Sequence, residues 1–353
     1  MPAIYERNSK REREIIMTNK DILLASRDQS LKAYLINSIK QNGGWVNAHM
    51  HADRAFTITR DSFDVYQKQT LMQKWDTLDR IKAAMSEDDY YRHFSMAVER
   101  MIEQGVTVMG SFIDIDPIAQ ERAIKAAIKA RETYKNDITI KLVNQTLKGV
   151  IDKEARYWFD KGADLVDIIG GLPRRDERDH GVGMGLVHLD VLMQTGKKLG
   201  KMVHVHVDQF NSQDEVETEQ LTDKTIEHGM HGKVVAIHSI SITAHSLEYR
   251  QKLYQKMKEA KMMVIACPFA WIDSPRREDQ GPTRNSLTPV DELSTAGIPV
   301  AIGTDNISDY MLPFSTGNMW EELKLLVTGC RYTDLDNVIN VATKNGRLVL
   351  GIE

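Results

Sequence analysis

Residues 43–54 read Gly-Gly-Trp-Val-Asn-Ala-His-Met-His-Ala-Asp-Arg, so a short apolar run ends in two histidines one residue apart. Side chains alternate between the two faces of a β-strand, and His49 and His51 therefore point to the same side. Two imidazoles on one face at a strand end supply half of a metal site. Because such a pair also occurs in strands that bind nothing, its interpretation depends on the rest of the chain.

Further apolar runs, rich in valine and isoleucine, follow this first run along the chain. Nearly continuous apolar runs are typical of parallel strands that are buried on both faces. The predicted strands cover 46–51, 106–114, 138–147, 165–173, 202–209, 234–240, 262–269 and 299–306. Helical patterns lie between and after them, at 87–104, 117–134, 153–162, 186–199, 216–230, 245–260, 289–296, 318–329 and 334–345. Strand-then-helix units in series predict an α/β fold, a parallel (β/α)8 TIM barrel. A doubly wound open sheet is the alternative, but no GxGxxG motif follows the first strand.

The composition limits the kinds of partner and location. The 353 residues carry a net charge of −4, which gives no basis for binding nucleic acid or an anionic membrane surface. No apolar run approaches the ~18 residues of a membrane span, and the N-terminus lacks the apolar core of a secretory signal. Two cysteines make no disulfide framework, which favours a cytoplasmic protein.

Two regions are expected along the chain. Residues 1–43 read as an N-terminal polar and helical extension, with a helical pattern over 21–41 that ends at Gly43-Gly44. Residues 44–353 read as one barrel domain, a length that α/β barrels commonly reach. A subunit interface is a reasonable role for the extension, so we expect a homo-oligomer.

Ligand-type side chains follow several predicted strands. His49 and His51 end the first, His206 lies at the end of the fifth, His238 at the end of the sixth and Asp305 at the end of the eighth. Chemistry in a (β/α)8 barrel gathers at the C-terminal ends of the strands. A buried histidine or aspartate without a partner is costly, so apolar packing alone does not explain the pattern.

These residues resemble those of the amidohydrolase superfamily of metal-dependent barrels. Within it, the chain is similar to the cytosine deaminase-like enzymes, a group that includes the N-isopropylammelide amidohydrolases. The supporting segments are HMHADR (49–54), GGLPRRD (170–176), HVDQ (206–209) and GTDNISDYMLPFSTGNM (303–319). Most relatives flank the barrel with a small β-sandwich built from both chain ends. Because the first 43 residues look helical and the chain stops after the last helix, we expect little or no sandwich.

The resemblance implies one divalent metal ion, Zn²⁺ or Fe²⁺, held by His49, His51, His206 and Asp305. His238 would lie beside the metal-bound water as a proton shuttle, and Asp305 would also take the proton of that water. Three imidazoles and one carboxylate suit either ion and leave room for water. Such an ion brings the pKa of water toward ~7, which provides hydroxide at neutral pH.

The fifth predicted strand leaves alternatives open. His204, His206 and Asp208 share one face, and His206 is assigned to the metal because HVDQ matches the family pattern H-x-D-E at that histidine. His204 remains an alternative ligand or a supporting residue. Asp208 is expected either to orient a ligand or to meet the substrate.

The substrate pocket departs from the cytosine deaminase pattern. Gln145 resembles the glutamine that binds the polar edge of the ring. Gln209 stands at a catalytic position where the family has glutamate, and glutamine cannot shuttle a proton. Asn306 replaces an acidic residue, and Met311 falls where a tryptophan flanks the pocket. Arg54 stands where the triazine enzyme has lysine, so it either meets a substrate carbonyl or carboxylate or forms a surface ion pair with the neighbouring aspartate.

The sequence therefore predicts a metal-dependent hydrolase of a small heterocyclic substrate. Metal-bound hydroxide would attack the amine-bearing carbon of a pyrimidine or an s-triazine and release ammonia or an alkylamine. The alternative within the fold is a hydrolase that opens a cyclic amide or lactone at the same metal site. A metal-bound binding or structural barrel is the alternative without enzyme activity.

Overall fold

The structure, a computed structural model, describes residues 30–66, 69–270 and 287–352, without the side chains of residues 64–66. The predicted helical pattern before residue 30 lies outside the described residues. The chain divides into two compact units, Met1–Ser38 and Ile39–Glu353. In the first unit the described part is the beginning of helix α1, Leu31–Gln41.

The second unit alternates strands with helices, as the sequence predicts. Its strands are β1 Trp45–Met50, β2 Val106–Asp114, β3 Thr139–Gln145, β4 Ile169–Gly171, β5 Val203–Val207, β6 Val234–His238, β7 Met263–Ala266 and β8 Val300–Ile302. Its helices in the described residues are α2 Arg60–Tyr66, α3 Leu71–Ala84, α4 Glu87–Glu103, α5 Arg122–Thr133, α6 Lys153–Leu165, α7 Pro173–His180, α8 Met184–Leu199, α9 Glu217–Glu227, α10 Leu247–Glu259, α11 Val290–Thr295, α12 Met319–Gly329, α13 Leu335–Ala342 and α14 Lys344–Val349. Short 3-10 turns at Ala52–Arg54 and Ile240–Ala244 follow β1 and β6.

The strands pair in parallel and in chain order. β1, β2 and β3 form one sheet, and β4 to β8 form a second. Isolated parallel bridges join Met50 to Asp305 and Val143 to Ile168, at the two places where the sheets meet. The predicted α/β fold with parallel strands is confirmed. Within the described residues the ladders form two sheets linked by these bridges, not one uninterrupted ring.

Close contact between β1 and β8 depends on glycine. A Cβ atom on Gly303, which follows β8, would lie 2.7 Å from the carbonyl oxygen of His49. On the other side of β1, a Cβ atom on Gly110 would lie 2.8 Å from the carbonyl oxygen of Ala48. Backbones can approach this closely only where side chains are absent. Both glycines therefore help to place the histidines of β1 against the end of β8.

The strand interiors form the core, and the polar residues gather at the C-terminal ends. Every residue of β5, β6, β7 and β8 is buried. Burial on both faces explains why these strands read as continuous apolar runs.

Among the described residues, no helix has the length and apolar character needed to cross a membrane.

Candidate metal and active site

Four histidines and one aspartate converge at the C-terminal ends of four strands. They are His49, His51, His206, His238 and Asp305. The nitrogen atoms of His49, His51 and His206 that would bind a metal lie within 4.8 Å of one another, and the same limit holds for the ligand atoms of His49, His238 and Asp305. The structure thus brings together all five residues that the sequence places at separate strand ends.

Asp305 lies at the centre of this cluster. Its Oδ1 atom is 3.2 Å from His51 Nε2 and 3.5 Å from His49 Nε2, and its Oδ2 atom is 3.6 Å from His238 Nε2. The backbone N–H of Asp305 donates to the carbonyl oxygen of His49 at 3.0 Å, and the N–H of His51 donates to the carbonyl oxygen of Asp305 at 3.3 Å. These backbone bonds hold the aspartate against the end of β1.

The backbone adopts a strained conformation where three of the strands end. Asp208, His238 and Asp305 have φ angles of +53°, +75° and +56°. Non-glycine residues in this left-handed region cost of order 1–3 kcal/mol each and occur preferentially at functional sites. The turns let the chain leave the sheet while the side chains of His238 and Asp305 stay in the cluster.

Several buried polar atoms of the cluster have no hydrogen-bond partner. These atoms are both ring nitrogens of His49, Nδ1 of His51 and of His238, Nε2 of His206 and Oδ1 of Asp305. A buried polar atom without a partner costs about 1–3 kcal/mol. Neutral imidazoles and a carboxylate are the donors that Zn²⁺ and Fe²⁺ accept, so this set of atoms fits a divalent ion.

The protonation states also suit metal binding. Burial lowers the pKa of His51 and of His206 well below the usual value, and it lowers the pKa of His238 to about 4. Burial opposes ionisation of Asp305, but the close approach of the His49 and His51 rings holds the pKa of that carboxyl well below its usual range. His51, His206 and His238 are therefore neutral and Asp305 is ionised at neutral pH, the states in which these groups bind metal.

The two histidines of β5 have different surroundings. His206 Nδ1 donates to the carbonyl oxygen of Gly171 at 3.2 Å, which leaves Nε2 facing the cluster. His204 Nε2 donates to the carbonyl oxygen of Val349 at 2.7 Å, and His204 is not part of the cluster. This placement favours His206 over His204 as a metal ligand.

A cavity of about 340 Å³ opens beside the cluster. Its polar lining consists of His51, Arg54, Gln145, His206, Gln209, Asp305 and Asn306. Its apolar lining consists of Leu71, Trp75, Leu78, Leu147, Leu172 and Met311. All the predicted pocket residues except Asp208 line this cavity.

Helix α3 supplies an apolar wall that the sequence interpretation missed. Leu71, Trp75 and Leu78 repeat at helical spacing. A capping box begins the helix, in which Thr70 accepts from the N–H of Gln73 and the Gln73 side chain accepts from the N–H of Thr70. The Thr-x-x-Gln pattern before an apolar repeat is the signal that indicates this helix.

Asp208 has a different place from the one expected of a substrate-binding residue. Its Oδ1 accepts from the N–H of Glu217 at 2.8 Å, and its Oδ2 accepts from the N–H of Thr218 at 3.3 Å. Both oxygens are therefore used at the N-terminus of α9. Burial raises the pKa of this carboxyl to about 7. The expectation that Asp208 touches substrate is not supported by this geometry.

Arg54 is buried and does not form a surface ion pair. Its Nη1 donates to Asp114 Oδ2 at 3.0 Å, and its Nε lies 3.7 Å from Asp309 Oδ2. The expected partner, Asp53, instead accepts from the backbone N–H of Asp114 at 2.8 Å. Asn306 Nδ2 also donates to Asp309. Asp309, within the 303–319 segment, thus links two residues of the cavity wall, a role that its sequence position did not reveal.

The two glutamines of the cavity are held by their neighbours. Gln145 Oε1 accepts from the N–H of Thr146 at 3.0 Å. The N–H of Gln209 donates to Glu215 Oε1 at 3.2 Å, and the N–H of Phe210 donates to Glu215 Oε2 at 2.6 Å. Glu215 therefore anchors the loop that presents Gln209.

The similarities to known proteins agree with this arrangement. No family model matches the chain. An uncharacterized protein of Haemophilus influenzae is 59% identical over 270 residues, which are 76% of this chain and 97% of that protein. An N-isopropylammelide isopropyl amidohydrolase of a Pseudomonas species is 25% identical over 319 residues, 88% of this chain and 74% of that enzyme.

A solved structure, the 5-methylcytosine deaminase of Klebsiella pneumoniae, shares the fold. It superposes with a TM-score of 0.80 at 24% identity and covers 87% of this chain and 75% of its own. The fold, the strand-end cluster and the sequence relatives together define an amidohydrolase-type enzyme. In sequence and fold the chain is similar to cytosine deaminase-like enzymes of the amidohydrolase superfamily.

Proposed function

We propose that this protein is a metal-dependent hydrolase that cleaves a C–N bond of a nitrogen heterocycle, such as a pyrimidine or an s-triazine, and releases ammonia or an alkylamine. The observation that carries the proposal is the buried His and Asp cluster with its unpartnered ring nitrogens and carboxylate oxygen. Three of its residues, His51, His206 and Asp305, line the cavity. The names of the relatives, an isopropylammelide amidohydrolase and a methylcytosine deaminase, support a ring-bound amine as the leaving group.

His49, His51, His206 and Asp305 are the proposed ligands of one Zn²⁺ or Fe²⁺ ion. When bound, such an ion supplies Lewis acidity and lowers the pKa of water toward ~7. We also propose that residues 44–353 are the catalytic domain and that the two bridged sheets form a closed barrel. We retain three predictions from the sequence: a cytoplasmic location, a homo-oligomer, and little or no flanking β-sandwich.

His238 and Asp305 are the proposed proton carriers. Asp305 is ionised and accepts a proton from the attacking water. His238 is neutral, its Nε2 lies 3.6 Å from Asp305 Oδ2, and its position lets it stabilise the charge that develops on the attacked ring. The proton then passes to the departing amine.

The cavity suits one ring that carries polar edges. The amides of Gln145, Gln209 and Asn306 offer hydrogen bonds to ring nitrogens and carbonyl groups. Arg54 adds a cation to the wall, which favours a ring with an oxo substituent. Trp75 on the apolar wall offers a surface for an N-alkyl group.

Metal content and amine release test the proposal together. We expect about one ion per chain in wild-type protein and release of ammonia or alkylamine from at least one of cytosine, isocytosine and aminated or alkylaminated triazines. His51→Ala should lose the ion and the activity. His231→Ala is the control, because His231 is exposed and lies outside the groups of side chains that could hold a metal. Protein that neither contains nor takes up metal would refute the ligand assignment.

Opening of a cyclic amide or lactone is the second candidate, and Gln209 favours it. Amide hydrolysis needs no proton delivered to a second ring nitrogen. Glutamine at position 209 cannot deliver a proton, but this reaction does not require it to do so. A metal-loaded protein that releases no amine but consumes cyclic amides or lactones would support this candidate. Bound metal without any turnover across both panels would favour a binding or structural barrel.

A further inference from the structure

A single peptide group behind the cluster is held from both sides. The carbonyl oxygen of Gly171 accepts from His206 Nδ1–H at 3.2 Å. The N–H of Leu172 belongs to the same peptide group and donates to Nε2 of His188 at 3.1 Å. The peptide at the end of β4 therefore connects a proposed metal ligand to a histidine of helix α8.

Asp176 fixes the other side of His188. Its Oδ2 lies 2.7 Å from His188 Nδ1 and also accepts from the N–H of Val150 at 2.8 Å. Both the His188 and the Asp176 side chains are fully buried. Because His188 Nε2 accepts from Leu172, its single proton must lie on Nδ1 and point to the carboxylate. Asp176 thus selects the tautomer that leaves Nε2 free to accept.

Glycines provide the space for this pair. A Cβ atom on Gly149, whose φ is +72°, would lie 2.0 Å from the Asp176 carboxylate. A Cβ atom on Gly171 would lie 2.1 Å from Leu192 Cδ1 and 3.2 Å from His188 Nε2. A larger residue at position 171 would therefore have to displace the Leu192 side chain and press on the His188 ring. The same glycine lets the peptide rotate easily, so its orientation needs support from outside.

We infer that His188, held by Asp176, is a positioning residue for the metal site. By fixing the Gly171–Leu172 peptide, it keeps the carbonyl group aimed at His206 Nδ1–H and thereby leaves His206 Nε2 directed at the ion. This inference rests on the metal site of the proposed function. Residues that orient metal ligands typically change metal affinity by about 10–100-fold when they are removed.

Three variants separate positioning from simple packing. His188→Leu removes the acceptor for the Leu172 N–H and keeps an apolar side chain of fair size. His188→Gln retains an acceptor, because its Oε1 can occupy the place of Nε2. Leu192→Ala is the matched control, since Leu192 lies on the same helix and against the same glycine but forms no part of the hydrogen-bonded chain.

Zinc affinity by chelator competition and thermal stability are measured for all four proteins. We expect His188→Leu to bind zinc about 10–100-fold more weakly than wild type and His188→Gln to recover most of the loss. Leu192→Ala should lower thermal stability through its cavity and leave zinc affinity unchanged. Wild-type zinc affinity in His188→Leu, or an equal loss in Leu192→Ala, would overturn the inference.

The wild-type protein provides a test that does not depend on whether a variant folds. Nitrogen NMR of histidine-labelled, zinc-loaded protein should show the Nδ1–H tautomer for both His188 and His206. An Nε2–H tautomer of His188 would overturn the inference while leaving the metal site intact. Failure of the wild-type protein to bind either Zn²⁺ or Fe²⁺ would instead overturn the proposed function and this inference with it.

Discussion

Replacement of Arg54 by methionine tests the buried charges beside the cavity. The guanidinium lies between Asp114 and Asp309, and all three side chains are at most 4% exposed. Methionine keeps an unbranched apolar stem and removes the charge. Loss of one partner from a buried ion pair typically costs about 3–5 kcal/mol, because the other charge is left uncompensated. We expect the free energy of unfolding to fall by about that amount above neutral pH.

The destabilisation should increase with pH. Burial raises the pKa of Asp309 to about 6, although the Arg54 guanidinium lowers it in part. Without the guanidinium this pKa rises further. A carboxyl whose pKa is higher in the folded than in the unfolded protein binds more protons when folded, so stability falls as pH rises until the folded pKa is passed. Above about pH 6 wild-type Asp309 is ionised, so it no longer changes the free energy of unfolding. In the variant Asp309 is still protonated, and the free energy of unfolding continues to fall by about 1.4 kcal/mol per pH unit.

Urea unfolding of metal-free protein between about pH 5 and pH 8 measures both effects. Arg156→Met is the control, because Arg156 and Asp160 form an exposed pair at 2.9 Å with side chains 42% and 55% exposed. Such a pair contributes less than about 1 kcal/mol. Two results would refute a buried ion-pair network of Arg54, Asp114 and Asp309. One is a decrease of less than about 1 kcal/mol in the free energy of unfolding of Arg54→Met, and the other is a difference from wild type that stays constant above about pH 6.

Two further predictions concern the cavity and the contact between β1 and the end of β8. Gln209→Glu should raise the rate of cytosine deamination by about 10²-fold, because glutamate can carry a proton. Gln209→Met is the control and should give no gain. Equal rates in the two variants would contradict this prediction. Gly303→Ala should cost about 1–3 kcal/mol and weaken zinc binding, because its Cβ would lie 2.7 Å from the His49 carbonyl oxygen. Gly185→Ala should leave stability and zinc binding nearly unchanged in the same assays, because its Cβ would lie 3.2 Å from the end of the Glu177 side chain and at ordinary contact distance from Pro173.

The order and type of the strands followed from the sequence. Val106–Asp114 forms a strand with the predicted bounds, because an apolar run rich in β-branched residues buries both faces of a parallel strand. The run at 165–173 forms only the short strand Ile169–Gly171. Most of its flanking residues, such as Ile168 and Leu172, are apolar as well, but strand bounds depend on which neighbouring backbone groups are available for hydrogen bonds. Local hydrophobicity does not contain that information.

The strand-end histidines could also be found from the sequence, since alternation along a strand places His49 and His51 on one face. The same rule places His204 and His206 on one face and cannot separate them. Only the fold shows that the carbonyl group of Val349 accepts from His204. That contact joins residues 145 positions apart in the chain.

Short-range periodicity along the chain is therefore enough to predict the alternation of strands and helices and the types of residue at the strand ends. The contacts that these residues make follow only from the packed fold. Arg54 is enclosed by Asp114 and Asp309, and Asp208 caps a helix away from the cavity. His188 reaches His206 through one peptide group. These roles depend on distances between segments far apart in the chain, which are set when the strands pair and the helices pack against them.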